Sequence, residues 1–181
     1  NRINGKRNIV KFSLDNEEIN EIKSIEIHLK GIHNLMNISA ALEISKFFNV
    51  KFDSFKETIK SFKPLDHRLE YVCKKNDTLI YNDSKATNVD SMKVAIDSFN
   101  KQIIIIVGGL DKGKSDIAGV LESQGEKITH VICYGQSGKD IFDKLSQSTD
   151  SEYYIKFDDA VKGAISQIDK GDVLLLSPGC A

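Results

Sequence analysis

The run Ile103-Ile-Ile-Ile-Val107 constrains this chain more than any other stretch. Consecutive β-branched residues lose side-chain freedom in a helix and pack well on a pleated surface. With no polar residue to turn toward water, such a strand must be covered on both faces, as parallel strands in α/β sheets are. The run Val173-Leu-Leu-Leu176 makes the same demand. Around these two, strand and helix patterns alternate: strands over 78–81, 103–107, 130–134, 153–157 and 172–176, and helices over 89–99, 116–123, 139–145 and 158–168. A strand over 69–73, with Asn76-Asp77 as the turn, forms a hairpin with 78–81. The alternation predicts an α/β fold with a Rossmann-like, mostly parallel sheet and helices on both faces.

Ahead of this region the rhythm differs. Residues 1–23 are polar and turn-rich apart from the alternating stretch 9–14 (Ile-Val-Lys-Phe-Ser-Leu), which reads as a strand. Residues 24–29 alternate through Ile25, Ile27 and Leu29 and read as another, broken by Gly31. Apolar spacing at Leu35, Ile38, Ala41 and Leu42 predicts an amphipathic helix over 33–48. Asp53 or Ser54 is positioned to cap a helix over 55–62, which Pro64 ends. The change of rhythm places a boundary between residues 1–65 and 66–181.

A formal net charge of −1, with acids and bases interspersed, argues against a nucleic-acid or polybasic membrane surface. No apolar run approaches a membrane span, and no signal-peptide pattern opens the chain. The cysteines, Cys73, Cys133 and Cys180, have no metal-ligand spacing and read as reduced thiols of a cytoplasmic protein, with Cys73 and Cys133 expected in the core. The first residue is not Met and the last residues follow an apolar strand, so a piece of a longer protein is the expectation.

Chemistry concentrates in Tyr81-Asn-Asp83-Ser-Lys85-Ala-Thr87-Asn88, between a strand and a helix. Strand-to-helix turns at the carboxyl ends of strands are where open α/β sheets bind ligands, and a helix N-terminus there favours an anion. An ordinary capped loop accounts for the same residues, with Thr87 or Asn88 as the cap. Gly108-Gly-Leu-Asp-Lys112-Gly113-Lys114-Ser115 matches the phosphate-binding pattern Gly-x4-Gly-Lys-Ser. Read so, its amides would cradle phosphates, Lys114 would reach them and Ser115 would hold Mg²⁺. Asp111 and Asp116 put negative charge where phosphate would lie, and a Gly-rich turn of an α/β domain is the plainer reading.

Taken with Gly31-Ile-His33-Asn34-Leu-Met-Asn37, Phe62-Lys-Pro-Leu-Asp-His67-Arg68-Leu-Glu70 and Leu176-Ser-Pro-Gly-Cys-Ala181, these motifs stand in an order that resembles the C-terminal part of a Mur ligase. Within that family the Asp-Ser-Lys-Ala-Thr-Asn form is most similar to the members that add D-glutamate. The resemblance implies an ATP-dependent amide-forming ligase of peptidoglycan synthesis. Residues 1–65 would be the tail of its central ATP-binding, ATPase-type domain. Residues 66–181 would be most of its Rossmann-like last domain. The implied partners are ATP, D-glutamate and UDP-N-acetylmuramoyl-L-alanine, with Mg²⁺ held by residues outside this chain, and a monomer is expected.

The resemblance further implies Asn34 and Asn37 at the adenine edge, though Asn34 also suits a helix cap. Asp83 would lie at the ribose hydroxyls, and Arg68 near ribose and phosphates, with a surface ion pair to Glu70 as its plain alternative. Lys85 would face the transferred phosphoryl group, and Thr87 and Lys112 would face the carboxylates of D-glutamate. Lys112 rather than Lys114 would then be the working residue of the Gly-rich turn. His33 and His67 are expected to be structural. Two other readings stay open at this point: a related Mur or folylpolyglutamate-type ligase with another amino acid, and a stand-alone nucleotide-binding module using residues 108–115. The 181 residues alone are expected not to catalyse.

Overall fold

The computed structural model describes residues 10–29, 31–110, 115–145, 149–168 and 172–180. The chain divides into two compact units, Asn1–Lys63 and Pro64–Ala181.

The first unit is helical: α1 (Glu17–Ser24), α2 (Ile32–Phe47) and α3 (Phe52–Ser61). Asn16 caps α1, its side chain accepting from the Ile19 amide at 2.7 Å. Ile19 and Ile22 of α1, Ile38 and Leu42 of α2 and Phe55 and Ile59 of α3 form one buried cluster. Neither expected strand forms among the described residues. A strand needs a neighbouring strand for its backbone groups, and residues 10–14 and 25–29 pair with none among the described residues. The apolar positions Leu14, Ile27 and Leu29 still pack against the helical cluster, so the alternation records burial without a ladder. Ser39 of α2 is buried, its hydroxyl donating to the Ser13 carbonyl, whereas Ala41 faces outward. Helix α3 starts earlier than expected, at Phe52, and its cap position is Lys51 rather than Asp53 or Ser54. The opposite side of α2 is also apolar: Ile32, Met36, Ile44 at 60% exposure and Phe47 at 76% run along it.

The second unit is a six-stranded sheet of order β1-β2-β6-β3-β4-β5. Its strands are β1 (Glu70–Lys75), β2 (Thr78–Asn82), β3 (Ile103–Gly108), β4 (Ile128–Tyr134), β5 (Ser151–Tyr154) and β6 (Val173–Leu176). Strand β1 pairs antiparallel with β2, and the other pairs are parallel. The hairpin turn has Asn76 at φ 49° and Asp77 at φ 66°. Positive φ at both positions gives the turn whose twist suits a two-residue hairpin. Cys73 is exposed, against expectation, because β1 is the edge strand of the sheet and every residue of it after Glu70 is exposed, whereas Cys133 on β4 is buried.

Helices α4 (Val89–Asp97), α5 (Ile117–Ser123), α6 (Gly135–Lys144) and α7 (Phe157–Ser166) connect the parallel strands. Residue 157 therefore opens α7 and does not end β5. The central run divides as its pattern requires. Ile103, Ile105 and Val107 bury against Met92 and Ile96 of α4, Leu121 of α5 and Ile141 of α6. Ile104 and Ile106 bury against Ala160 and Ala164 of α7 on the other face. Crossovers of one hand put helices on one face while the chain advances β2 to β5, and on the other when it turns back to β6. The return inserts β6 between β2 and β3, so the segment after β6 lies at the carboxyl ends of both.

That edge is close-packed. Gly108 has φ 121°, and a Cβ there would lie 2.1 Å from the Tyr134 carbonyl oxygen. Gly108→Ala is therefore expected to destabilise the second unit by about 2–4 kcal/mol. Gly125 also has positive φ, but nothing lies within 4 Å of a Cβ there, so Gly125→Asn is expected to be tolerated. Hydrogen exchange of the β3 amides in each variant reads the difference.

Candidate functional site

The site is built on turns at the carboxyl edge of the second unit, laced by hydrogen bonds. The Asp83 amide donates to the Leu176 carbonyl at 2.8 Å, and the Gly179 amide donates to Ala86 at 2.9 Å. The Ser177 amide donates to Ile106 and the Gly108 amide to Pro178. The residues after β6 thus stitch the β2–α4 turn to the end of β3.

Asp83, 7% exposed, is the centre of this lacing. Its Oδ1 accepts from the Leu69 amide at 3.0 Å, and its Oδ2 accepts from the Ser177 hydroxyl at 3.0 Å. A carboxylate offers about four lone-pair directions, so these bonds leave capacity for further donors. Burial pushes the Asp83 carboxyl above the usual carboxylate range, against the opposing pull of the Leu69 amide, the Ser177 hydroxyl and the Arg68 charge.

Arg68 is exposed and sits between two residues in the left-handed region, His67 at φ 67° and Leu69 at φ 44°. Non-glycine residues there carry about 1–3 kcal/mol of strain each and persist where their surroundings over-determine them. Here each is tied down. The His67 carbonyl accepts from the Lys85 amide at 3.1 Å, its amide donates to Glu70 Oε2 at 2.9 Å, and Leu69 is held by Asp83. Asn82 adds a clasp, with Nδ2 at 2.9 Å from His67 Nδ1 and Oδ1 accepting from the Ser84 amide. Glu70 thus engages the His67 amide, and His67 braces the turn.

Lys85 and Thr87 are exposed on the same turn, and Asn88 caps α4 by accepting from the Ser91 amide at 2.8 Å. The structure therefore brings Arg68, Asp83, Lys85 and Thr87 to one edge. Lys112 lies outside the described residues, as do Asp111, Gly113 and Lys114. In the described part of the Gly-rich turn, the first two amides are taken by protein carbonyls. The amides of Gly108 and Gly109 donate to Pro178 and Tyr134, and Asp116 caps α5 by accepting from the Gly119 amide at 3.1 Å. Ser177 and the strained pair have no role assigned from the sequence, although Ser177 stands in the Leu176–Ala181 landmark and His67 and Leu69 in the Phe62–Glu70 one.

Asn34 and Asn37 belong to the first unit. They are three apart in the opening turns of α2, so their side chains share a helix face. Gly31, not Asn34, occupies the cap position of α2. Among the described residues no group of three or more His, Cys, Asp and Glu side chains is arranged to hold a metal ion.

The class is thus a Rossmann-like α/β domain that presents cationic and polar side chains at the carboxyl ends of its strands, the ligand end of such sheets. The family model of the Mur ligase, glutamate ligase domain matches residues 67–180, and the chain belongs to that family. It is 32% identical to the UDP-N-acetylmuramoylalanine–D-glutamate ligase of Caldicellulosiruptor bescii, over 96% of this chain and 38% of that protein. It is 40% identical to the ligase of the same name from Natranaerobius thermophilus, over 86% of this chain and 34% of that protein. The chain thus spans little more than a third of the length of these relatives. Among solved structures, the UDP-N-acetylmuramate–alanine ligase of Thermotoga maritima superposes with a TM-score of 0.68 at 19% identity, covering 83% of this chain and 35% of that one. The bifunctional folylpolyglutamate synthase/dihydrofolate synthase of Yersinia pestis, complexed with AMPPNP and Mn ion, gives 0.66 at 17% identity, covering 86% and 38%. At these identities the likeness is one of fold.

The Asp83 bonds predict a graded response. Asp83→Ala leaves the buried Leu69 amide and Ser177 hydroxyl without their partner and is expected to destabilise by about 2–4 kcal/mol. Asp83→Asn keeps an acceptor for Leu69 and is expected to lose far less. Because the folded carboxyl titrates above its unfolded value, the native state holds the proton longer. Stability from this group is full below the unfolded carboxylate range and declines as pH rises through the folded value. Urea titrations from pH 4 upward should show that decline in the wild-type protein and not in Asp83→Asn.

Proposed function

We propose that this chain is part of an ATP-dependent ligase that joins D-glutamate to UDP-N-acetylmuramoyl-L-alanine in peptidoglycan synthesis, in the cytoplasm. The observation that carries the reading is the gathering of Arg68, Lys85 and Thr87 beside buried Asp83 at the strand ends, in a chain whose relatives are named D-glutamate ligases. Residues 1–65 would be the tail of the central ATP-binding domain and 66–181 the body of the last domain. The exposed apolar side of α2 supports the first assignment, since an apolar stripe of this size calls for a covering surface.

In the first step of the proposed reaction the muramoyl-alanine carboxylate attacks the γ-phosphorus of ATP, giving an acyl-phosphate and ADP. The D-glutamate amine then attacks the acyl carbon, and the tetrahedral intermediate collapses with loss of phosphate. Lys85 offsets the negative charge that develops there, the kind of fixed charge that matters most in a site closed to water. The planar guanidinium of Arg68 suits phosphate oxygens and is held ready by its braced, strained flanks. Asp83 accepts from ribose hydroxyls with the lone pairs its internal bonds leave, and the amides of Asn34 and Asn37 suit an adenine edge. Thr87 and Lys112 orient D-glutamate through its carboxylates.

ADP release by the full-length parent, with UDP-N-acetylmuramoyl-L-alanine and with or without D-glutamate, tests this. Turnover should depend on D-glutamate. Lys85→Ala should lower kcat by roughly 10²–10³-fold, Lys112→Ala should lose the D-glutamate-dependent turnover, and Lys114→Ala should largely keep it. The 181-residue chain alone should not turn over. Loss of ATP use in Lys114→Ala with indifference to D-glutamate would overturn the assignment in favour of a nucleotide-binding turn at residues 108–115.

A further inference from the structure

The Leu176–Ala181 landmark contains a residue that the reaction above leaves without a part. Ser177 is fully buried, and buried hydroxyls are retained where they have a partner to satisfy. Its partner is Asp83 Oδ2, at 3.0 Å. We propose that Ser177 is a positioning residue for nucleotide binding, fixing the plane and the ionised form of the Asp83 carboxylate so that its remaining lone pairs face the ribose. The inference rests on the ribose role given to Asp83 above.

The geometry supports this in three respects. First, the two internal donors approach different oxygens: Leu69 serves Oδ1 and Ser177 serves Oδ2. Neither oxygen can rotate away without breaking a buried bond, so the carboxylate orientation is set before any ligand arrives. Second, Ser177 is itself held, since its amide donates to Ile106 on β3 and the neighbouring Gly179 amide donates to Ala86. The hydroxyl is therefore delivered by the sheet and not by a free loop. Third, the charged side chain acting on Asp83 is Arg68, which is exposed and screened by water. The buried donors are Ser177 and Leu69, and only Ser177 can be changed without touching the backbone. Burial drives the carboxyl toward its neutral form, and a hydrogen bond to the ionised form opposes that drive.

The sign of the expected effect follows. A protonated Asp83 can no longer accept with both oxygens, so nucleotide affinity falls as pH drops through its titration. Removing the Ser177 hydroxyl favours protonation and moves that fall to higher pH.

The test uses the full-length parent and measures kcat and KM for ATP across pH 5–9 in Ser177→Ala, Ser177→Cys, Asp83→Asn and the double variant Ser177→Ala/Asp83→Asn, each with its thermal midpoint. Ser177→Ala should raise KM for ATP about tenfold, the value of one charge-assisted hydrogen bond, with kcat falling far less. The acid limb of kcat/KM for ATP should move to higher pH. Ser177→Cys, a weaker donor of similar shape, should lie between. In the Asp83→Asn background, Ser177→Ala should change KM by less than twofold. The proposal is overturned if Ser177→Ala lowers only the thermal midpoint, leaving KM and the acid limb in place, or if its effect on KM is the same in both backgrounds. Failure of the underlying reading has a different signature: Asp83→Asn itself would leave KM for ATP at the wild-type value, and the positioning role would fall with it.

Discussion

Everything at the carboxyl edge of the sheet depends on one buried carboxylate. Asp83 joins segments that are remote in the chain: the start of β1 through the Leu69 amide, and the segment after β6 through the Ser177 hydroxyl. Hydrogen bonds to a charged group are worth roughly 1.5–3 kcal/mol each, more than a neutral pair. Burying the charge opposes them, and the raised titration of the group is the visible balance of the two. An apolar residue of the same size would avoid the burial cost but would leave the Leu69 amide without a partner. It would also release the strained backbone on either side of Arg68.

That strain has a physical use. An arginine on an unrestrained surface loop loses rotational freedom when it meets an anion, and this loss subtracts from affinity. Here the backbone at His67 and Leu69 is already confined to a conformation that L-residues rarely adopt, held by Lys85, Glu70 and Asp83. Part of the ordering cost is thereby met on folding. The Lys85 amide is one of the braces, so a hydrogen bond ties the segment presenting Arg68 to the turn presenting Lys85.

The fold of the second unit was legible because its signal is local and repeated. Each strand or helix of 69–176 announces itself through its own period, and the unbroken run 103–107 demanded cover on both faces, which α4–α6 and α7 supply. Strand order was not legible. The insertion of β6 between β2 and β3 is a pairing of residues far apart in sequence, and no local pattern encodes it. For the same reason the Asp83–Ser177 bond could not be foreseen, although both residues stood in singled-out motifs. In the first unit, alternation at 9–14 and 24–29 suggested strands, but alternation reports only which side chains are apolar. A strand exists when a neighbour takes its hydrogen bonds, and that information lies outside the segment. Cys73 misled in a related way: an apolar-looking run on an edge strand is exposed along nearly its whole length.

The Gly-rich turn at the end of β3 shows how a matching string can arise from unrelated needs. In a phosphate-binding loop the glycines free successive amides to point at one anion. Here Gly108 is required for another reason, the approach of its Cα to the Tyr134 carbonyl, and its amide and that of Gly109 are both taken by protein carbonyls. At the far end, Asp116 caps α5, placing a carboxylate where a phosphate would need open amides. Each requirement fixes a residue type, glycine at a tight crossing and aspartate at a helix start. A motif of this kind works through its amides, and those of Gly108 and Gly109 are held by protein carbonyls.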